Sequence, residues 1–169
     1  MDKQNIDKDI LVRARKVKLL LMDCDGVLTD GRLYYSEKGE ALKVFNVKDG
    51  QGIVCWHKAG YKSGIISGRE SVVVEKRATE LGVSHIKQNS HDKTRCFSEI
   101  LLKEKISQDE VAFIGDDIGD IDLLKIVGFP VTVADAAREL FPFVLYKTKA
   151  NGGYGAVREV IDLLLNSKD

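Results

Sequence analysis

The chain has 169 residues, 44% of them apolar and 31% charged, and its 26 basic and 26 acidic side chains cancel. That length fits a single domain, 1–169, with a core of its own, and the neutral balance argues against a general nucleic-acid binder, which carries a basic excess or stripe. No window approaches 18 uninterrupted apolar residues, so nothing reads as a membrane span, and the opening MDKQNIDKDILVRARK lacks the apolar stretch of a signal peptide.

In chain order, VKLLLM (17–22) predicts the first strand, buried on both faces because it does not alternate. Residues 31–47, GRLYYSEKGEALKVFNV, have β-favouring residues on either side of a polar SEKG bend and predict a β-hairpin. A helix over QGIVCWHKAG (51–60), a strand at 62–67, a helix at 71–82 and a weaker strand at 84–88 follow. Then come a helix at 93–105, a capping-box turn at SQDE (107–110), and a strand at VAFIG (111–115). A helix at 121–128, strands at 130–133 and 143–147, and a helix at 156–166 complete the set. Alternating strands and helices imply a parallel sheet with helices on both faces. The three cysteines, Cys24, Cys55 and Cys96, form neither a disulfide framework nor a metal-binding pair, which suits reduced thiols and a cytoplasmic protein.

Ligands of open α/β sheets bind outside the carboxyl ends of the strands, so the residues that follow each strand carry the functional reading. The first strand is followed by Asp23, Asp25 and Asp30, the second by Ser67, Gly68 and Arg69, the third by a run that ends in Lys93, and the fourth by Asp116, Asp117 and Asp120. Asp23 and Asp116 can both ligate a hard cation such as Mg²⁺ through oxygen, which offsets the repulsion among crowded carboxylates. Lys93 adds a point positive charge and Ser67 a neutral donor for a phosphate oxygen. One carboxylate can attack phosphorus, and a second, two residues along an extended chain, returns to the same side and can manage protons. Taken singly, Asp30 or Asp120 would more often be a helix cap, and Lys93 a surface lysine. The histidines (His57, His85, His91) lack metal-ligand spacing. The ordered set lifts the catalytic reading.

The segments DCDGVLTDG, LKVFNVKDGQGI, IISGR, DK, FIGDDIGD and NGGYGAVREV resemble the haloacid dehalogenase (HAD) superfamily of phosphotransferases, over nearly the whole chain. The resemblance implies a Rossmann-like three-layer α/β fold, capless apart from the hairpin flap at 31–47, and Mg²⁺-dependent phosphatase activity on a small sugar-acid phosphate. It implies Asp23 as nucleophile and metal ligand, Asp25 as acid/base that lends its carbonyl to the metal, and Asp116 as the third ligand. Ser67 and Lys93 would bind the phosphoryl group, while Asp117 and Asp120 would orient metal-bound water and the lysine. Asn46, Val47, Lys48, Asp49, Gly50, Arg69 and Arg77 would lie where the sugar acid is held. Related enzymes have Arg or Lys after GxGI where this chain has Val54, so eight- and nine-carbon sugar acids both stay open.

Residues 31–66 and 68–92, 36 and 25 in number, are too few for an inserted cap domain beyond the hairpin. A site that must exclude water needs a cover, and another subunit is the obvious one. The resemblance implies a homotetramer in which the hairpin and the C-terminal stretch 148–169 meet a neighbour's site, with Arg158 as a further anion-pairing group. A phosphoreceiver, which pairs its acids on one strand and its acceptor on another, fits the order of motifs poorly. A structural module without activity tends to lose acids from the set, and here none is missing.

Overall fold

The computed structural model describes residues 7–168; residues 1–6 and 169 of the predicted domain lie outside the described residues. Six parallel strands form the central sheet: β1 (Leu19–Met22), β4 (Lys62–Ile66), β5 (His85–Lys87), β6 (Val111–Gly115), β7 (Phe129–Thr132) and β8 (Tyr146–Lys147). Their spatial order is β5-β4-β1-β6-β7-β8. The two remaining strands, β2 (Tyr34–Ser36) and β3 (Gly39–Leu42), pair antiparallel as the predicted hairpin.

Each central strand divides its side chains between two cores, as the two-residue period of a pleated strand requires. Leu20, Met22, Ile65, Ala112 and Ile114 face one layer, built with α1 (Lys8–Lys16), α2 (Val47–Lys58), α3 (Val72–Glu80) and α6 (Ala156–Asn166). Leu19, Leu21, Ile66, Val111 and Phe113 face the other, built with α4 (Lys93–Glu104) and α5 (Ile121–Leu124). The sandwich is therefore the expected three layers. β1 lies between β4 and β6, so successive connections leave it in opposite directions and open a crevice at its carboxyl end.

The structure departs from the sequence expectations at element ends. Helix α2 begins at Val47, four residues early, because the Asn46 side chain caps it by accepting from the Lys48 amide at 2.9 Å. Val47, Lys48, Asp49 and Gly50 thus form a helical turn. Helix α5 stops at Leu124, since the Gly128 amide turns away to donate to the Gln108 carbonyl at 2.9 Å. Strand β8 shrinks to two residues because a 3₁₀ turn, Arg138–Phe143, consumes its predicted start. Helix α1 had no counterpart among the expectations. It is fastened by the far end of the chain: Lys168 Nζ donates to the carbonyls of Arg15 and Val17 at 3.0 and 2.7 Å. As far as residue 168, the C-terminal stretch is core rather than free tail, with Val157, Val160, Ile161 and Leu164 buried.

Candidate active site

A cleft of about 450 Å³ opens at the carboxyl ends of β1, β4 and β6, lined by Asp23, Asp25, Ser67, Arg69, Lys93, Asp116, Asp117 and Asp120 among others. β1 stops at Met22, and the Asp23 amide still pairs with the Ile114 carbonyl at 2.9 Å, so the Asp23 side chain is fixed at the strand's mouth. Its Oδ1 accepts from the Cys24 amide at 2.6 Å and its Oδ2 from Lys93 Nζ at 2.8 Å. Cys24 itself is buried in the core, where burial pushes its thiol pKa well up and leaves it inert.

Lys93 is the first residue of α4, which Asp92 caps by accepting from the Arg95 amide at 2.9 Å. Its ammonium spans Asp23 and Asp120, the latter at 2.6 Å. Asp120 is 1% exposed, and its second oxygen accepts from the amides of Asp116 and Asp117 at 2.9 and 3.3 Å. Both its oxygens are engaged, so it holds the lysine and the β6 loop. Asp117 is exposed and caps the following 3₁₀ turn through the Ile118 amide at 2.8 Å.

Asp23, Asp116 and Asp120 each bring a carboxylate oxygen within 4.8 Å of the others. Burial, and then the neighbouring charges of Asp23 and Asp120, lifts the Asp116 carboxyl to about 8. Burial likewise raises Asp23, to about 6, against the pull of Lys93. Asp116 Oδ1 is buried with no hydrogen-bond partner. Once all three are ionised, three carboxylates against one ammonium leave two negative charges, the complement of a divalent cation. An oxygen-only donor set and an orphaned buried oxygen fit Mg²⁺. Close by, Gly26 adopts φ +86°, and a Cβ there would stand 2.0 Å from Asp116 Oδ2.

Ser67, 3% exposed, lies at the end of β4; its amide donates to the Lys87 carbonyl at 2.8 Å and its carbonyl accepts from the Ser90 amide at 3.0 Å. These bonds lock the β4 and β5 loops together beneath the cleft. Asp30 accepts from the Arg32 amide at 3.1 Å, as a turn residue. The flap bends back over Asp25 from above, and its contacts were not anticipated. Lys43, just after β3, directs its ammonium onto Asp25 Oδ1 and onto Glu40 at 3.1 Å, with its side chain 2% exposed. These partners raise the Lys43 pKa even though burial alone pulls it down. Tyr35 on β2 accepts from Arg69 at 2.8 Å. The signal for Lys43 was present: one lysine inside the otherwise apolar run Ala41–Phe45.

The structure does not bring the remaining expected substrate contacts to this cleft. Asn46 caps α2 and donates to the Gly153 carbonyl at 3.1 Å. Asp49, 1% exposed, caps α6 by accepting from the amides of Gly155 and Arg158 at 3.2 and 2.8 Å. Gly50 packs beneath the Arg77 guanidinium, and Arg77 pairs with Glu80 at 3.2 Å. Lys48 and Arg158 line a separate surface groove, and Val47 is exposed. The glycines of NGGYG serve the chain itself: a Cβ on Gly152 would stand 1.7 Å from the Gly26 carbonyl, so that loop presses backbone to backbone on the one after β1.

A doubly wound sheet with aspartates at the ends of two adjacent strands, a lysine opposite and a hairpin in place of a cap is the design of a haloacid dehalogenase-like hydrolase. The chain belongs to that family, whose sequence profile matches residues 70–161. More particularly, it is 44% identical over 160 residues to the 3-deoxy-D-manno-octulosonate 8-phosphate phosphatase KdsC of Escherichia coli (strain K12), 95% of this chain and 85% of that one. The crystal structure of the 3-deoxy-D-manno-octulosonate 8-phosphate phosphatase from Yersinia pestis matches with a TM-score of 0.95 at 42% identity, over 97% of this chain and 89% of the other. The Moraxella catarrhalis phosphatase of the same name, solved with magnesium ion, phosphate ion and KDO, matches with a TM-score of 0.93 at 37% identity, over 96% and 94% of the two chains.

Proposed function

We propose that this chain is a single-domain, Mg²⁺-dependent phosphatase that hydrolyses 3-deoxy-D-manno-octulosonate 8-phosphate to the free sugar acid and phosphate, in the cytoplasm, as a step of lipopolysaccharide precursor synthesis. The observation that carries the reading is the cluster of three carboxylates, Asp23, Asp116 and Asp120, around Lys93 at the mouth of β1. The similarity to KdsC supports the substrate. Asp23, Asp116 and the Asp25 carbonyl would hold Mg²⁺, which would supply charge neutralisation at the phosphoryl oxygens. Lys93 and the Ser67 hydroxyl hold the phosphoryl group in line with Asp23. An Asp23 oxygen attacks phosphorus as the sugar oxygen departs, and Asp25 gives that oxygen its proton. Asp25 then takes a proton from the water that attacks the aspartyl phosphate, which frees phosphate and restores Asp23. Asp120 keeps Lys93 aimed at the site, and Asp117 orients water at its edge.

Four copies make the working assembly in this reading. Leu33, Tyr35, Leu42 and Val44 leave an apolar patch exposed on the flap and the strand-like segment after it, the kind of surface an interface covers. Asn46, Val47, Lys48, Arg77 and Arg158 would then act at the boundary between subunits, with buried Asp49 and Gly50 shaping the turn beneath them. Phosphate release from this substrate, with Mg²⁺ and with a chelator, tests the reading. Activity that survives chelation, or Asp23→Asn with near-parental turnover, overturns the mechanism. Val54, half-buried on α2 where the resemblance leads one to expect Arg or Lys, favours a second reading, a nonulosonate 9-phosphate, which side-by-side kcat/KM values decide.

A further inference from the structure

The Lys43 side chain is 2% exposed although Lys43 belongs to the segment that leads off the surface flap. Lysine is rarely buried unless paired, and here the ammonium is held between two carboxylates, Asp25 Oδ1 and Glu40 Oε1, the second at 3.1 Å. Glu40 is held in turn from the sheet side, where its other oxygen accepts from the hydroxyl of Ser71, the cap of α3. The cluster closes with Arg69, whose Nε lies 3.4 Å from Asp25 Oδ2. That contact is poorly aligned, and both atoms are buried without a hydrogen-bond partner.

The two oxygens of Asp25 are therefore unequal. Oδ1 is tied to the flap by a buried ion pair. Oδ2 meets only an off-angle guanidinium on a side chain 40% exposed, which can swing aside for a ligand at little cost. We propose that Lys43 is a positioning residue: it fixes Asp25 through Oδ1, leaves Oδ2 as the working oxygen, and makes closing the flap and aligning Asp25 one event. The inference rests on the reading of Asp25 as the residue that handles protons. It goes further by tying that residue's alignment to the flap, so an open flap carries an unaligned Asp25.

Three variants test it: Lys43→Met, which keeps length and apolar stem, Lys43→Arg, which keeps the charge, and Asp25→Asn. Lys43→Met should lower kcat about 10²-fold, the usual cost of a misplaced group, with KM changed less than threefold, and Lys43→Arg should recover at least a tenth of the parental kcat. Hydrogen exchange needs no substrate: amides of residues 34–42 should exchange faster in Lys43→Met and at near-parental rates in Lys43→Arg. A kcat within threefold of parental in Lys43→Met, a loss confined to KM or to melting temperature, or unchanged flap exchange overturns the proposal. Asp25→Asn with parental turnover overturns the proton-handling reading and this inference with it. An inactive Asp25→Asn beside an unaffected Lys43→Met overturns this inference alone.

Discussion

Gly26 offers a sharp test of the cation site, because the structure supplies its control. Gly26 and Gly39 both have left-handed backbones, at φ +86° and +103°. Alanine at either should cost about 1–2 kcal/mol for the left-handed conformation, less about 0.4–1 kcal/mol recovered from the stiffer unfolded chain. At roughly 2–4 °C per kcal/mol for a chain of this size, each variant should melt a few degrees low. The space around them differs. A Cβ at Gly39 meets nothing within 4 Å, whereas one at Gly26 falls 2.0 Å from Asp116 Oδ2 and 2.5 Å from its Cγ. To reach an ordinary 3.4 Å contact the Asp116 carboxylate must retreat by about 1.4 Å, enough to spoil a ligand that has to sit within a few tenths of an ångström of its place. Mg²⁺ titration calorimetry should therefore show at least a tenfold weaker Kd in Gly26→Ala, about 1.4 kcal/mol. Gly39→Ala should bind as the parent does. Parental Mg²⁺ affinity in Gly26→Ala, or equal weakening in both, refutes the assignment of Asp116 to the cation.

Asp49→Ala should lower stability by about 1–2 kcal/mol, since it uncaps α6 at the amides of Gly155 and Arg158; urea unfolding reads this, and an unchanged midpoint rules out the capping role. His57 gives a pH dependence with a definite sign. Its Nδ1 meets the Leu81 carbonyl at 3.1 Å and its Nε2 the Ser63 hydroxyl at 2.8 Å, and burial lowers its pKa below the ordinary 6.5. The unfolded chain therefore binds this proton more readily. The stability His57 contributes is complete above pH 6.5 and is lost as pH falls from there through the lowered folded value. The difference in unfolding free energy between parent and His57→Gln should shrink as pH drops below 6.5, and a pH-independent difference refutes the assignment.

Strands β1, β4 and β6 were legible because runs buried on both faces cannot alternate, and their ends named the site because carboxylates there need a reason. The arrangement of Asp23, Lys93 and Asp116 follows from a strand order that sets β1 between β4 and β6, whereas the alternation of elements implies only a parallel sheet. Helix α1 escaped notice because its sequence is mostly charged: its place depends on Ala14 and on Lys168, at the opposite end of the chain. Lys43 escaped for a related reason. The apolar run Ala41–Phe45 marked it as a lysine set among apolar residues, but its importance lies in what Asp25 and Glu40 do around it, which no local pattern shows. The glycines of the NGGYG loop permit any close approach; in the fold the backbone at Gly26 is what approaches. Sequence reveals that space is needed, and tertiary structure decides what fills it.

The crowding of acids at the end of β1 is an arrangement of unequal groups, ordered by what neutralises each. Asp120 is saturated by Lys93 and two amides, so it is structural charge. Asp23 is half-satisfied, by one amide and the same lysine, which steadies the carboxylate proposed as nucleophile and leaves it free lone pairs. Asp116 keeps a buried oxygen with no partner, and its carboxyl is lifted to about 8, above Asp23 at about 6. A cation entering the site would find its strongest unmet demand there, and binding should displace whatever proton Asp116 holds. Asp25 stands apart from the trio. Its counter-charges, Lys43 and Arg69, come from the flap side and from the β4 loop. In the proposed mechanism, the carboxylate that moves protons is thus insulated from those that would hold metal by having its own cations. This separation would let two aspartates two positions apart, Asp23 and Asp25, do different chemistry.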